Sequence, residues 1–146
     1  MKIPSTYHLI TTENVEEYIK FLELPTDDDT IAAFKNTKFI LNIQRSMKVS
    51  PRGFRLSIPV AGQEHIIDFI PGLAFEETFP NGFKFKTTAI KEGNRFILMS
   101  QGRGIKFTRN LDFSKDGAEM TIEGTNIKQI FERSPSSLEL HLPQNR

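Results

Sequence analysis

Few side chains in this sequence have the type and spacing that chemistry requires. The three histidines, His8, His65 and His141, stand far apart and lack the helical spacing that holds a metal ion. No serine or threonine lies in a Gly-x-Ser-x-Gly type of context, which exposes a nucleophile. Cysteine is absent, which removes thiolate chemistry, disulfides and cysteine-ligated metal together. The sequence therefore predicts a protein that is not an enzyme and uses no cofactor or metal.

The composition limits the classes of partner. The 146 residues are enough for one compact domain and too few for two well-cored ones. Lys plus Arg total 19 against 18 for Asp plus Glu, so no global positive field attracts nucleic acid. No apolar run approaches the length of a membrane span, and residues 1–8 contain no signal-peptide-like stretch. We expect a cytoplasmic protein with no nucleic-acid partner.

The amino-terminal part predicts one strand followed by a short helix. Residues 7–11 are the first strand candidate. Asn14, followed three residues later by Glu17, has the pattern of a capped helix start. Apolar residues then recur on one helical face, at Val15, Tyr18, Ile19 and Leu22. The pair Leu24-Pro25 ends this helix.

A run of three aspartates marks the start of a second helix. Thr26 precedes Asp27, Asp28 and Asp29, and carboxylates are favoured in a first turn by the helix dipole. The run lacks the alternating ligands and the glycine of a calcium loop, so we interpret it as a helix start. A small apolar face follows at Ile31, Ala32 and Phe34. Both helices are too short to be stable alone, so they must lie on an apolar surface.

From Lys38 onward the apolar pattern changes to the alternation of half-buried strands. The clearest examples are residues 39–43, 54–58, 65–69, 83–87 and 120–123. Asn81-Gly82 and Asp116-Gly117 are among the pairs that tight hairpin turns favour. Counting the first strand, we expect ten.

These elements predict an all-β fold, a ten-strand antiparallel up-and-down barrel of lipocalin-like type, capped by a two-helix lid. Helices are expected only between about residues 14 and 36. A barrel of this width has more interior than its side chains fill, so it encloses a ligand or water. We assign residues 1–133 to the barrel and residues 134–146 to a carboxy-terminal extension.

Three segments of the chain match one family. They are residues 7–18 (YHLITTENVEEY), residues 67–77 (IDFIPGLAFEE), and Gly102-Arg103-Gly104 with residues 119–124 and 128–131. Their order and spacing resemble the intracellular lipid-binding proteins, the family of cytosolic fatty-acid-binding and retinoid-binding proteins. The third segment is most similar to the retinol-binding branch. The resemblance implies a barrel with one apolar ligand in a water-containing cavity.

The same resemblance points to the ligand's headgroup site. Many fatty-acid binders carry Arg-x-Tyr in the last strand and an arginine twenty positions earlier, which together hold a carboxylate. Here the last strand reads Gln129-Ile130-Phe131, and Arg109 stands twenty positions before Gln129. If the turn near residues 114–117, which is longer than in the retinol-binding branch, lies within the hairpin, Phe107 takes the internal headgroup position instead of Arg109. The other interpretation of Arg109 is a surface arginine on an outward face.

The chemistry of these side chains distinguishes two kinds of ligand. A buried guanidinium needs an anionic or hydrogen-bonding partner, and a carboxylate matches it in two-point geometry. Gln129 by itself better suits a hydroxyl or amide headgroup. The resemblance implies a fatty acid whose carboxylate lies near Arg109 and Gln129 while Phe131 contacts its chain; retinol or another neutral lipid is the alternative.

Further residues are expected around the ligand. Ile19, Ile31 and Phe34 stand where the family's portal helices face the cavity mouth. Phe54, Phe75 and Phe107 are among the phenylalanines that line a cavity, although most of the 13 phenylalanines serve ordinary packing. Lys20 and Lys35 suit transient contact with membrane phosphates, but solvated lysines on amphipathic helices are the simpler interpretation.

Two functional hypotheses follow. The first is a carrier that binds one long-chain apolar ligand, a fatty acid or a retinoid, and shields it from water. The second, kept as the alternative to the leading carrier hypothesis, is a structural or protein-interaction barrel with a collapsed cavity, which is compatible with the missing Arg-x-Tyr pair. We expect a monomer.

The extension has a pattern of its own. Leu138, Leu140 and Leu142 alternate with polar residues, as in a short strand that docks on the barrel or on a neighbouring chain. The polar residues 143–146 favour the other interpretation, a disordered terminus.

Overall fold

The described residues of the computed structural model are 3–35, 40–48 and 50–134. They form ten strands and two helices, in the chain order strand, two helices, nine strands. The elements are β1 (Ser5–Glu13), α1 (Val15–Phe21), α2 (Asp28–Phe34), β2 (Ile40–Arg45), β3 (Phe54–Val60), β4 (Gln63–Phe69), β5 (Ala74–Thr78), β6 (Lys84–Glu92), β7 (Arg95–Gly102), β8 (Ile105–Phe113), β9 (Gly117–Ile122) and β10 (Lys128–Arg133).

The strands form one antiparallel sheet that curls into a nearly closed barrel. Each strand from β5 to β10 pairs with the next, as do β1 to β4, and β1 joins β10. The edges of the sheet are therefore β4 and β5, which share no backbone ladder in the described chain. The predicted ten-strand barrel with its two-helix lid is confirmed.

Alternation along the strands separates the barrel interior from the surface. In β8, Phe107, Arg109, Leu111 and Phe113 are buried, and the residues between them are more exposed. The interior is largely apolar, with Leu9, Leu41, Leu56, Phe96 and Met120 almost fully buried. This apolar interior provides the surface that the two short helices need.

The start of α1 differs from the predicted capping box. Asn14 adopts a left-handed conformation, with φ of 59°, and its side chain caps no helix N–H. Its Nδ2 donates instead to the carbonyl of Asn126, and the Glu17 carboxylate accepts from the N–H of Asn126. The two polar side chains therefore tie the lid to the connection between β9 and β10, so the capping-box interpretation was wrong.

The second helix starts at Asp28 and is capped by Asp27 rather than by Thr26. The Asp27 carboxylate accepts from the Thr30 N–H at 2.8 Å, and this bond lowers the pKa of Asp27. The helix then packs on the turn between β3 and β4. There Gly62 has φ of 75°, and a Cβ on it would lie 2.6 Å from the Cβ of Ala33.

Polar contacts hold the segment after α1 against two turns of the barrel. The Asn81 side chain donates to the carbonyl of Leu22 at 2.9 Å, and Arg103 pairs with Glu23 at 3.0 Å. The Arg103 guanidinium also lies 3.5 Å from the centre of the Phe83 ring. The lid is thus fastened at the same end of the barrel as the turns that carry Gly62, Asn81 and Arg103.

Some sequence predictions fall outside these ranges. Phe39 and residues 135–146, including the leucine pattern of the extension, lie outside the described residues. Each described helix has seven residues, and none is long and apolar enough to cross a membrane.

Gly62→Ala tests the contact between lid and barrel. Alanine in the left-handed region costs about 1–2 kcal/mol, and overpacking against Ala33 adds about 1–3 kcal/mol. Gly104→Ala is the matched control, because Gly104 has φ of 78° with open space around its Cβ position. Urea unfolding should show a larger loss in the free energy of unfolding for Gly62→Ala than for Gly104→Ala. Equal losses would show that α2 does not press on this turn.

Candidate functional site

Both candidate headgroup residues of β8 face the interior. Arg109 is 4% exposed and Phe107 is 8% exposed. Arg109 pairs with Leu98 of β7 and Ile122 of β9, both fully buried or nearly so. Because Phe107 and Arg109 are two residues apart on one strand, they share a face, and the two alternatives of the sequence interpretation become neighbours inside the barrel.

Inside the barrel, Arg109 has a carboxylate partner that belongs to the chain itself. Its Nη1 donates to Glu77 Oε2 at 2.9 Å and its Nη2 donates to Glu77 Oε1 at 2.5 Å. The Glu77 side chain has no exposed surface, and the Arg109 side chain is 5% exposed. The pair is therefore a buried two-point ion pair between β5 and β8, the geometry in which guanidinium and carboxylate bind most strongly.

Polar side chains from three more strands complete this cluster. His65 Nε2 on β4 lies 2.6 Å from Glu77 Oε2, and Thr87 Oγ1 on β6 donates to Glu77 Oε1 at 2.7 Å. Ser100 Oγ on β7 lies 2.7 Å from Thr87 Oγ1 and accepts from Arg109 Nη2 at 3.1 Å. We call Glu77, Arg109, His65, Thr87 and Ser100 the interior polar cluster.

The charges of this cluster stabilise the ionised carboxylate. Burial by itself raises the pKa of the Glu77 carboxyl, but the charge of Arg109 and the hydrogen bonds from His65 and Arg109 outweigh burial. The pKa of Glu77 is consequently held well below its usual value of 4.5. On α1, burial raises the pKa of the Tyr18 hydroxyl to about 12, with smaller opposing effects of Arg109 and Glu77.

The last strand places Gln129 and Phe131 on the inner face. Both are 2% exposed, and Gln129 pairs with Thr12 of β1 and Met120 of β9. Two buried side-chain atoms in the described chain lack any hydrogen-bond partner, Nε of Arg109 and Oε1 of Gln129. A buried donor and a buried acceptor without partners are costly, so each marks a position where a bound molecule or water would be stabilised.

The other predicted ligand-binding residues divide between two aromatic groups. Phe107 contacts Phe85 and the lid residue Phe21, each at 5.0 Å between ring centres. Phe54 and Phe75 lie elsewhere, where both stack on Phe69. No ring contact in the described chain joins this second group to Phe107.

The predicted ligand-binding residues of the lid differ in burial. Ile19 and Phe34 are buried and Ile31 is partly buried against the core. Tyr18 meets Phe34 edge to face at 5.0 Å. Lys20 and Lys35 are exposed, so they are free to contact solvent or another surface.

Glu77 and His65 are the functional candidates that the sequence interpretation missed. Glu77 is the final residue of the quoted motif, and the alternation Phe75, Glu77, Phe79 could have indicated that its carboxylate points inward. His65 gave no such signal, because its partner lies across the open seam between β4 and β5. The Glu77 to His65 bond and the stacking of Phe75 on Phe69 join these two edge strands through side chains.

Comparison with known proteins identifies the fold. No family model and no curated protein matches the chain. Among solved structures, it is similar to a fatty-acid-binding protein isolated from Manduca sexta, at 17% identity over 92% of this chain and 100% of that chain, with a TM-score of 0.68. It is also similar to Caenorhabditis elegans lipid binding protein 8, at 15% identity over 90% and 94% of the chains, with a TM-score of 0.69.

A third similar structure is the fluorescent protein UnaG, at 16% identity over 91% and 97% of the chains, with a TM-score of 0.70. At these identities the likeness shows the fold. The resemblance to the lipid-binding family is confirmed at that level, and its retinol-binding detail stays a prediction.

Glu77→Gln tests the ion pair through stability. Removing one partner of a buried pair leaves the other charge uncompensated, which costs about 3–5 kcal/mol. The exposed neighbour Glu76 provides the control, and Glu76→Gln should change the free energy of unfolding by less than about 0.5 kcal/mol. Similar, small effects of the two variants in denaturant unfolding would contradict a buried ion pair.

Acid should remove the contribution of Glu77. The pKa of Glu77 is lower in the folded state than its usual value of 4.5. The stabilisation that the ionised carboxylate contributes is therefore fully present above pH 4.5, and it is lost as the pH falls from there through the folded-state pKa. Between about pH 6 and pH 3, the free energy of unfolding should therefore fall more steeply for Glu76→Gln than for Glu77→Gln. Parallel pH profiles would show that the pKa of Glu77 is not lowered by folding.

Proposed function

We propose that this chain, which has the barrel fold of the fatty-acid-binding proteins, is a carrier that encloses one long-chain apolar ligand. The observation that supports this most is the pair of unpartnered buried atoms, Arg109 Nε and Gln129 Oε1, within a largely apolar interior. Folding tolerates such atoms poorly unless another molecule satisfies them. A lipid has the matching shape, an apolar chain with one polar end.

Each site residue then has a role. Arg109 and Gln129 bind the headgroup, and Phe131, two residues from Gln129 on the same face, contacts the chain. Phe107 lies between the interior and the lid, where Phe21 covers it. Ile19, Ile31 and Phe34 form the underside of the lid, which must move for the ligand to enter.

Further features of the carrier are proposed from the composition and pattern of the sequence. We propose a non-enzymatic, cytoplasmic monomer in which residues 1–133 form the barrel. Residues 134–146 form an extension that permits association with another chain. The exposed Lys20 and Lys35 suit brief contact with membrane phosphates while the ligand transfers. A fatty acid is the ligand that the resemblance implies, but the Glu77 carboxylate already binds the guanidinium that would hold it.

A second function, a barrel with a filled interior, is favoured by one observation. Phe54 on β3 meets Phe96 on β7 at 5.3 Å, and Phe69 on β4 meets Phe96 at 5.8 Å. These strands are not neighbours in the sheet, so their side chains touch across the interior. If the same packing extends to the interior polar cluster, no room for a lipid remains and the barrel serves a structural or interaction role.

Native mass spectrometry of the purified protein tests the carrier. We expect one lipid per chain and, after lipid removal, saturable binding of a fluorescent lipid analogue. Met120→Trp should weaken that binding by about tenfold or more, because the larger ring overpacks the interior next to Gln129, the strand partner of Met120. Met99→Trp is the matched control, since Met99 is 41% exposed and Met120 is fully buried.

Thermal unfolding of both variants checks that they fold. Equal lipid affinity for Met120→Trp and Met99→Trp would place the ligand outside the barrel. A wild-type protein that neither retains lipid nor binds the analogue would favour the filled barrel.

A further inference from the structure

We infer that the interior site selects lipids with a neutral, hydroxyl-bearing headgroup, and that Glu77 determines this specificity by holding the place of a ligand carboxylate. The inference rests on the proposed carrier function and specifies its ligand. Suitable ligands are long-chain alcohols and monoacylglycerols. Free fatty acids are the class that Glu77 disfavours.

The first reason is that Glu77 already occupies both terminal nitrogens of the Arg109 guanidinium. A carboxylate binds arginine most strongly through two parallel hydrogen bonds. In this barrel both terminal nitrogens of Arg109 already donate to Glu77, and Nη2 also donates to Ser100. The one Arg109 nitrogen without a partner is Nε. A ligand carboxylate would find a single donor there instead of a matched pair.

The second reason is charge. The charges of Glu77 and Arg109 sum to zero, and the His65 ring reaches Glu77 through a hydrogen bond. A fatty-acid anion would add one uncompensated negative charge beside the buried Glu77 carboxylate. Burying an unpaired charge costs several kcal/mol in proteins, whereas a neutral headgroup adds no charge.

The third reason is the pair of unpartnered atoms. Arg109 Nε needs an acceptor and Gln129 Oε1 needs a donor. A hydroxyl group supplies both, whereas an ionised carboxylate supplies acceptors only. The two residues project from β8 and β10 on either side of β9, where Gln129 pairs with Met120 and Met120 pairs with Leu111.

Strand spacing sets the size of the headgroup. With neighbouring strands about 4.8 Å apart and two residues spanning about 6.7 Å, the Cα atoms of Arg109 and Gln129 lie roughly 12 Å apart. Both side chains are buried inside the barrel. A headgroup with more than one hydroxyl, such as the glycerol of a monoacylglycerol, is able to reach both atoms.

Ligands with one acyl chain and different headgroups test the inference. Monooleoylglycerol, oleyl alcohol and oleic acid are titrated into the lipid-free full-length protein at neutral pH, by calorimetry or by displacement of a fluorescent lipid. We expect monooleoylglycerol and oleyl alcohol to bind at least about tenfold more tightly than oleic acid. A tenfold difference in affinity is close to the smallest contribution of one hydrogen bond to a charged group, which the acid cannot form with both Arg109 terminal nitrogens occupied. Equal binding of all three, or preference for oleic acid, would overturn the inference and leave the carrier function intact.

Glu77→Gln tests the role of the carboxylate. Freeing the guanidinium should increase the affinity for oleic acid about tenfold or more and remove the preference for neutral lipids. Glu76→Gln, the exposed neighbour, should keep the wild-type order of affinities. An unchanged preference in Glu77→Gln would show that Glu77 does not determine specificity.

A double variant covers the case in which Glu77→Gln fails to fold. Glu77→Gln with Arg109→Gln has no buried charge, and it should bind oleic acid no more tightly than wild type does. Tighter acid binding by the double variant would overturn the inference, since no guanidinium remains. If no lipid binds to wild type or to any variant, the proposed carrier function itself fails.

Discussion

The buried ion pair between Glu77 and Arg109 is the constraint on which the interior of this barrel depends. It joins β5 to β8, and its hydrogen-bond partners come from β4, β6 and β7. Neither charge is tolerable alone at this depth, so the pair and its partners must form together. One cluster of side chains therefore fixes five adjacent strands of the barrel, β4 to β8, relative to one another.

The same cluster joins the edges of the sheet. Strands β4 and β5 share no backbone ladder in the described chain, but His65 and Glu77 meet across the seam in a hydrogen bond of 2.6 Å. The Phe79 ring lies beside this bond. Its centre is 5.1 Å from the centre of the His65 ring and 5.0 Å from the Arg109 guanidinium. A surrounding of this kind excludes water, which strengthens the electrostatic interactions within it.

Buried polar side chains inside a largely apolar barrel have an energetic cost and a functional use. The cost is the unmet hydrogen-bonding capacity of Arg109 and Gln129. In the carrier that we propose, the use is that the ligand contacts the unmet donor and acceptor rather than the ion pair. The ligand's headgroup chemistry is then determined as much by which bonds the chain has already made as by which residues line the interior.

Local pattern predicted the strands well, because alternation and turn residues such as Asn81-Gly82 act over short distances. Together with the family resemblance, it indicated Arg109, Gln129 and Phe131 as candidate ligand contacts, with Phe107 as the alternative to Arg109. It did not predict Glu77 as the partner of Arg109, because the two are 32 residues apart and only the curvature of the sheet brings them together.

The errors at the lid have the same origin. Asn14 and Glu17 have a sequence that suits a local cap, yet both bond to Asn126, more than 100 residues away. These side chains form tertiary hydrogen bonds instead of the local helix cap that the sequence pattern favours. The bulge between Leu9 and Thr11, after which Thr12 rather than Thr11 is buried, likewise depends on the pairing of β1 with β10.

In the interior site that we propose, a ligand inside the barrel contacts the free Nε of Arg109 while Glu77 stays bound to both terminal nitrogens of the guanidinium. Nuclear magnetic resonance of the Arg109 Nε–H signal, assigned by its loss in Arg109→Lys, measures this directly during titration with monooleoylglycerol. We predict that this signal moves as the site fills and that the Glu77 carboxylate signal stays that of an ionised group. An Nε–H signal that does not move at saturation, with changes confined to surface residues, would contradict the account.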